Sequence, residues 1–430
     1  MPVLEVRPFQ AVRYAAVDSL GSVIAPPYDV ISPSEQDALY ERDPHNVIRL
    51  ELARGSSDEP LAGRYAFAAE SLRLWRRRNI LGRDSTPAMY PYEERFRTPN
   101  GDLTRRGVFA IVRLRPWEDG AILPHERTRP RPKADRLELL HTCRTQFSPI
   151  FSLYEDPDGT IQELLHRACR GVPIACAQVR PGASPEIAEN HQLWRVTGGD
   201  AERLGALFAH RELFIADGHH RYETALEYLN ERQHTAGFGD SDHPARFVMM
   251  LLVSVEDPGL RVLPTHRMVS LPSDAPWDDP FHSELFACEG VPSDVSDDDL
   301  YRGLLARRSE GPIFGVVGPG EGRIRYARVR RIPEPWSAPA TWRELDVGLL
   351  QTFVIDTLEQ GHPGTEIAFT RDPGEARRHA QSDPARMSVL VAPTDVRHIV
   401  QVARARERMP EKSTYFAPKV ATGMVMYRLG

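Results

Sequence analysis

Four apolar residues, Leu213-Phe214-Ile215-Ala216, run straight into Asp217-Gly218, and beyond the glycine Tyr222, Ala225, Leu226 and Leu229 recur at helical spacing. A hydrophobic period that changes from two to about 3.6 across one glycine predicts a strand that turns sharply into a helix. The first N–H groups of such a helix lack intrahelical acceptors and stand at the positive end of the helix dipole, beside a residue with no side chain. That arrangement is an anion site. His219, His220 and Arg221 add donors to the same turn, and an arginine grips a phosphate through two parallel bonds. Asp217 is placed either to cap the helix or to hold a divalent metal shared with the phosphates. The plainer reading, an ordinary cap flanked by surface histidines, fits the density of Gly218-His219-His220-Arg221 less well.

Two other stretches concentrate donors. Residues 123–136 read Leu-Pro-His-Glu-Arg-Thr-Arg-Pro-Arg-Pro-Lys-Ala-Asp-Arg, where Pro124, Pro130 and Pro132 predict an extended chain. Arg127, Lys133 and Arg136, with His125, supply positive potential for phosphate. Glu126 among them is a candidate general base or metal ligand. In residues 409–419, Lys412 and Lys419 flank the hydroxyls of Ser413, Thr414 and Tyr415. These lysines stand out because the chain has only three, Lys133, Lys412 and Lys419, against 51 arginines. Where arginine is the default cation, a retained lysine marks a place for a compact ammonium, and Lys133 is the one expected to take part in catalysis.

The acidic balance, 60 Asp and Glu against 54 Lys and Arg for a net charge of −6, argues against a general nucleic-acid binder. The longest apolar run, residues 247–253, is far short of the roughly 20 residues of a membrane helix. The N-terminus has no basic segment followed by an apolar one, and the four cysteines form no CxxC pair. A reducing cytoplasm and no membrane partner are expected, while a homodimer stays open.

The remaining pattern is mixed. Helices are expected over 33–40, with Ser32 as cap, and over 62–80, 134–145, 161–169, 347–359, 376–380 and 395–406. Extended segments are expected over 45–52, 150–154, 313–317, 324–329 and 387–391. Residues 106–127 and 246–267 echo each other at an offset of 140: strand, acidic turn, strand, proline, then His and Arg. If real, the echo makes two facing hairpins that bring His125, Arg127, His266 and Arg267 to one cleft. Gly315, Gly318, Gly320 and Gly322 miss the GxGxxG spacing and read as a hairpin turn, and no Walker A sequence is present. Pro, Asp and Ser cluster over 272–280 and 292–299, so a boundary is placed near 269–280. This gives a domain over 1–270 and an α/β domain over 271–430, and leaves open whether 409–419 returns to the site.

With Arg7-Pro8-Phe9, Ala25-Pro26-Pro27-Tyr28-Asp29-Val30 and Asn46-Val47-Ile48-Arg49-Leu50, these motifs resemble the bacterial family catalogued as domain of unknown function 1015 over nearly the whole chain. That family supplies no reaction. The Asp217-Gly218-His219-His220-Arg221-Tyr222 turn is also similar to the Gly-x-x-Arg signature of the ParB and sulfiredoxin superfamily. This second resemblance implies an α+β fold with a mixed-sheet ParB/sulfiredoxin-like core. It also implies phosphate roles for Gly218, His220 and Arg221 and a metal or catalytic role for Asp217. His219 stands where sulfiredoxins carry their cysteine, which excludes thiol-based sulfinic-acid repair. Arg129 and Arg131 fall where the nearer family is usually apolar or glycine, so they are not counted. The function expected is phosphoryl transfer from ATP or ADP, or another nucleotide, to a small hydroxylated metabolite, with Mg²⁺ bridging the phosphates. Asp29 and Glu51 are weaker candidates for base or metal ligand. The alternatives are a nucleotide-gated regulator, and a metal-dependent hydrolase built on His125, Glu126, His219 and His220.

Overall fold

The computed structural model describes residues 3–15, 17–55, 61–128, 130–179, 189–234, 238–239, 241–272, 280–282, 284–319 and 323–430. Arg129, Gly320, Gly322 and most of the 272–280 linker lie outside the described residues, as do the side chains of Pro130, Arg131 and Pro132. The chain is a mixed α+β protein that divides into two compact units. The first comprises 1–124, 128–260 and 418–430, and the second 125–127 and 261–417. Among the described residues no helix is long and apolar enough to cross a membrane.

The first unit is built on a mixed ten-stranded sheet, in which the short strand Val196–Thr197 adds to nine others: β1 (Val6–Arg7), β2 (Ala88–Thr98), β3 (Gly101–Arg113), β4 (Ile122–Pro124), β5 (Ile150–Tyr154), β6 (Ala175–Val179), β7 (Glu189–Leu193), β8 (Leu213–Asp217) and β9 (Phe247–Ser254). Their order is β4-β8-β5-β9-β3-β2-β7-β6, with β1 on β3. The β4–β8 and β5–β9 pairs are parallel. All eight residues of β9 are buried, as expected of a central strand with both faces covered. The helices that matter for the site are α1 (Pro33–Arg42), α2 (Ile48–Glu51), α3 (Leu61–Arg77), α4 (Pro130–Cys143) and α5 (His219–Gln233). Ser32 and Glu35 close a reciprocal capping box at the start of α1.

Three local expectations are corrected. Residues 45–52 are not extended: the Asn46 side chain accepts from the Ile48 amide and starts the α2 turn. Pro130 and Pro132 do not hold the chain extended, because both fall in the first turn of α4, where a missing N–H costs nothing. The two echoing segments are not hairpins either. β3 and β9 pair with each other, Val248 opposite Val112, and β4 leaves to lie along β8.

The second unit holds β10 (Arg261–Leu263), β11 (His266–Ser270), β12 (Phe286–Val291), β13 (Ile313–Val317), β14 (Ile324–Val329), β15 (Glu366–Thr370), β16 (Arg386–Leu390) and β17 (Tyr415–Ala417). An antiparallel sheet runs β12-β14-β13-β16-β11-β15, and β10 pairs with β17. β13 and β14 form the expected hairpin. The division between the units runs at 260/261, and β11 is hydrogen-bonded on both edges inside this sheet.

Candidate functional site

In the first unit β8 ends at Asp217, Gly218 adopts φ 95°, and α5 begins at His219. The positive φ favours glycine, and a second constraint agrees: a Cβ on Gly218 would stand 3.0 Å from Arg221 Nε. Arg221 is folded back over the turn. Its Nη2 donates to Asp217 Oδ2 at 2.6 Å and its Nη1 donates to the Pro149 carbonyl. Lys419, from the returning C-terminal segment, donates to the other Asp217 oxygen. Asp217 therefore does not cap the helix; Gly218 is the N-cap residue and no side chain caps there. Burial would raise the Asp217 carboxyl, but Lys419 and Arg221, with His219 adding to them, outweigh it and hold the group down at about 2. His219 is buried and His220 half-buried.

Arg221 also lines a small, half-open cleft of about 50 Å³. Leu139, Leu140, Phe147, Ile150, Ala225 and Val248 make it largely apolar, and Thr145, Gln146, Ser148 and Thr224 supply polar groups. Glu51 and Arg136 also line it. Both are buried; Arg136 Nη1 donates to the Glu51 carbonyl at 2.9 Å and lies 3.4 Å from Glu51 Oε1. Asp135 holds the other side of Arg136, and the guanidinium stacks over the Tyr28 ring at 4.2 Å. Burial pushes the Tyr28 hydroxyl up to about 12, with Arg221 opposing and Asp29 reinforcing the shift. The exposed Asp29 and the buried Glu51 thus share the neighbourhood of Arg221 and Arg136. Tyr28 and the Pro149 carbonyl were not singled out from the sequence. Tyr28 sits in a quoted motif, whereas nothing marks a carbonyl.

Lys133, on α4, pairs with Glu227 of α5 at 2.9 Å, and its side chain is 34% exposed. It is not among the residues lining the cleft.

In the second unit, His125 is fully buried. Its Nε2 lies 2.9 Å from Thr414 Oγ1, and that hydroxyl donates to Glu126 Oε1 at 3.2 Å. Arg267 is buried and donates to the Thr265 and Glu411 carbonyls, fastening the loop that carries Lys412. His266 accepts from the Val391 amide at 3.2 Å, and burial, with Arg267 beside it, holds the imidazole down at about 3. Arg127 is exposed. Here the 125–126, 265–267 and 411–414 segments come together. Among the described residues no grouping of three metal-ligating side chains includes His125, Glu126, His219 or His220.

A family model described as a protein of unknown function, DUF1015, matches residues 6–347. No curated protein matches the chain. Among solved structures, a free serine kinase variant in complex with AMP is similar at 12% identity, with 75% of this chain and 91% of that one covered and a TM-score of 0.37. A conserved hypothetical protein from Pyrococcus furiosus is similar at 12% identity, 74% and 94% coverage and TM-score 0.34. SbnI with a C-terminal truncation, from Staphylococcus aureus, is similar at 8% identity, 73% and 86% coverage and TM-score 0.35.

Proposed function

The chain belongs to the DUF1015 family of proteins of unknown function, and for this member we propose a nucleotide-dependent phosphotransferase acting on a small hydroxylated metabolite, of the serine-like amino acid or hydroxy acid class. One observation carries the reading: Arg221 and Lys419 converge on the single carboxylate of Asp217 at the start of α5, beside a half-open cleft. Two cations against one anion leave one surplus positive charge at the positive end of a helix, where phosphate charge is favoured. We read the strand–glycine–helix turn as a ParB/sulfiredoxin-like core.

In this reading the turn from Gly218 to Arg221, with Lys419, receives the phosphates of ATP or ADP. The acceptor enters the cleft toward Glu51. The terminal phosphoryl moves from the nucleotide oxygen to the acceptor hydroxyl oxygen, and the hydroxyl proton passes to Glu51, which Arg136 orients. Arg221 and Lys419 offset the charge that spreads over the transferred group. Asp217 keeps both cations in place. With one oxygen taken by Arg221 and the other by Lys419, it does not fit the role of Mg²⁺ ligand, and no step is routed through that ion.

The test is a melting-temperature series with nucleotides, followed by incubation with labelled ATP and a metabolite pool. A nucleotide at 100 times its dissociation constant adds about 2.7 kcal/mol of stability. Arg221→Ala is expected to abolish the shift, and Glu51→Gln to keep the shift but lose transfer. No shift with any nucleotide at millimolar concentration would overturn the phosphate site. Slow nucleotide turnover indifferent to every metabolite would favour the regulator instead.

A further inference from the structure

The first unit carries a second cluster of ionisable groups, built across three neighbouring strands. In the sheet register His191 of β7 stands opposite Glu94 of β2, and Glu94 stands opposite Arg105 of β3. Cross-strand partners share a face, and so do residues two apart on one strand. Glu189 and Tyr92 therefore join the same row. Val248 of β9 pairs with Val112, on the alternate parity to Arg105, so the row lies on the sheet face opposite to that cleft-lining residue.

The side chains of Glu94, Arg105 and His191 are fully buried, and that of Glu189 is 24% exposed. Arg105 Nη2 pairs with Glu94 Oε2, which leaves Glu94 Oε1 with no hydrogen-bond partner among the described residues. His191 Nδ1 is 2.6 Å from the Tyr92 hydroxyl, and Nε2 has no hydrogen-bond partner among the described residues. In the tautomer whose Nδ1–H donates to Tyr92, the one a metal at Nε2 requires, the Nε2 lone pair is 3.5 Å from Glu189 Oε2. Two ligands about 2.1 Å from one tetrahedral ion are themselves roughly 3.4 Å apart. One ligand atom each from Glu94, Glu189 and His191 lies within 4.8 Å of the others.

We propose that Glu94, Glu189 and His191 form a binding site for one divalent transition-metal ion of the zinc class, unrelated to the nucleotide cleft. The ligand chemistry selects the ion: an imidazole with two carboxylates suits zinc and its first-row neighbours better than Ca²⁺ or Mg²⁺, which favour all-oxygen sets. Arg105 and Tyr92 are the outer partners that fix the Glu94 carboxylate and the His191 tautomer. Charge agrees. Two carboxylates and one guanidinium leave one net negative charge, and a divalent ion turns this into one positive. A single anionic oxygen ligand in the open fourth position restores neutrality. Arg105 Nε and Nη1, both buried and without an acceptor among the described residues, are donors for such a ligand.

The experiment uses the full chain stripped with chelator and titrated with Co²⁺, followed by visible absorption, then by displacement with Zn²⁺. One equivalent of Co²⁺ with the intense absorption of a four-coordinate site is expected, reversed by Zn²⁺. Glu189→Gln, at the partly exposed ligand, is expected to weaken binding by at least about tenfold, and His191→Gln to abolish it. Arg221→Ala is expected to bind Co²⁺ as the parent does, which separates this site from the proposed phosphate turn. A folded parent that takes up no Co²⁺ or Zn²⁺, or a Glu189→Gln protein with parental affinity, would overturn the proposal.

Discussion

Lys419 donates to Asp217 from 202 residues further along the chain, so the turn that opens α5 is closed by the C-terminal segment. Both side chains are 12% exposed, and Arg221 shares the carboxylate. Removing the anion from such a cluster leaves two poorly solvated cations facing each other. Asp217→Asn is therefore expected to lower stability by about 3–5 kcal/mol at neutral pH, read from urea unfolding. The pH dependence follows from the depressed Asp217 pKa. Its contribution is fully present above the unfolded value of about 3.9 and is lost as pH falls through the folded value near 2. The gap between parent and Asp217→Asn should be constant from about pH 8 to 5 and narrow by about 1 kcal/mol between pH 4 and 3. A gap that widens in acid would contradict the assignment.

Gly218→Ala tests the turn itself. At φ 95° a side chain costs about 1–2 kcal/mol, and here the new Cβ also meets the Arg221 guanidinium at 3.0–3.1 Å. The substitution should lower the melting temperature modestly and reduce nucleotide-induced stabilisation by much more. Equal losses of both would make the glycine a matter of backbone conformation alone.

What the sequence discloses and what it hides divide along physical lines. The strand–turn–helix at 213–230, the Ser32 cap and the β13–β14 hairpin are local, and periodicity or capping chemistry finds them. Strand partners are not local. Residues 106–124 look like a hairpin, yet β4 gains more by lying along β8, and only the three-dimensional fold decides that. The same holds for the candidate sites. Gly218 and Arg221 announce themselves, whereas the meeting of Glu51 with Arg136 spans 85 residues. The row of Glu94, Arg105 and His191 depends on a strand register that no motif encodes.

In the second unit His266 should act as an acid-sensitive element. Its imidazole is fully buried, and burial with Arg267 beside it holds the folded pKa near 3, against about 6.5 when unfolded. Between those values the unfolded chain binds the proton and the folded one does not, so stability falls as pH drops below about 6.5. The slope from this group is at most about 1.4 kcal/mol per pH unit. His266→Asn, which keeps an acceptor for the Val391 amide, should flatten the loss between pH 6 and 4 relative to the parent. Parallel pH profiles for the two proteins would remove His266 from the account.

The scarcity of lysine leads to a paired prediction in which geometry moves the weight from Lys133 to Lys419. Lys133 meets Glu227 at 2.9 Å with side chains 34% and 40% exposed, and a guanidinium can make the same contact. An exposed pair of this kind is worth about 0–1 kcal/mol whichever cation supplies it. Lys133→Arg should therefore leave turnover within about twofold of the parent. Lys419 differs because it approaches Asp217 in a crowded turn whose other carboxylate oxygen already accepts from Arg221 Nη2. A second guanidinium there needs more room than a slim ammonium, and it would compete with Arg221 for the same carboxylate. Lys419→Arg conserves charge, so a large effect would be one of shape. Nucleotide-induced stabilisation is expected to fall by more than 1.4 kcal/mol, a tenfold loss of affinity. The measurement is the same melting-temperature series run on the parent and both variants. Equal behaviour of Lys133→Arg and Lys419→Arg would mean that neither lysine is required as a lysine.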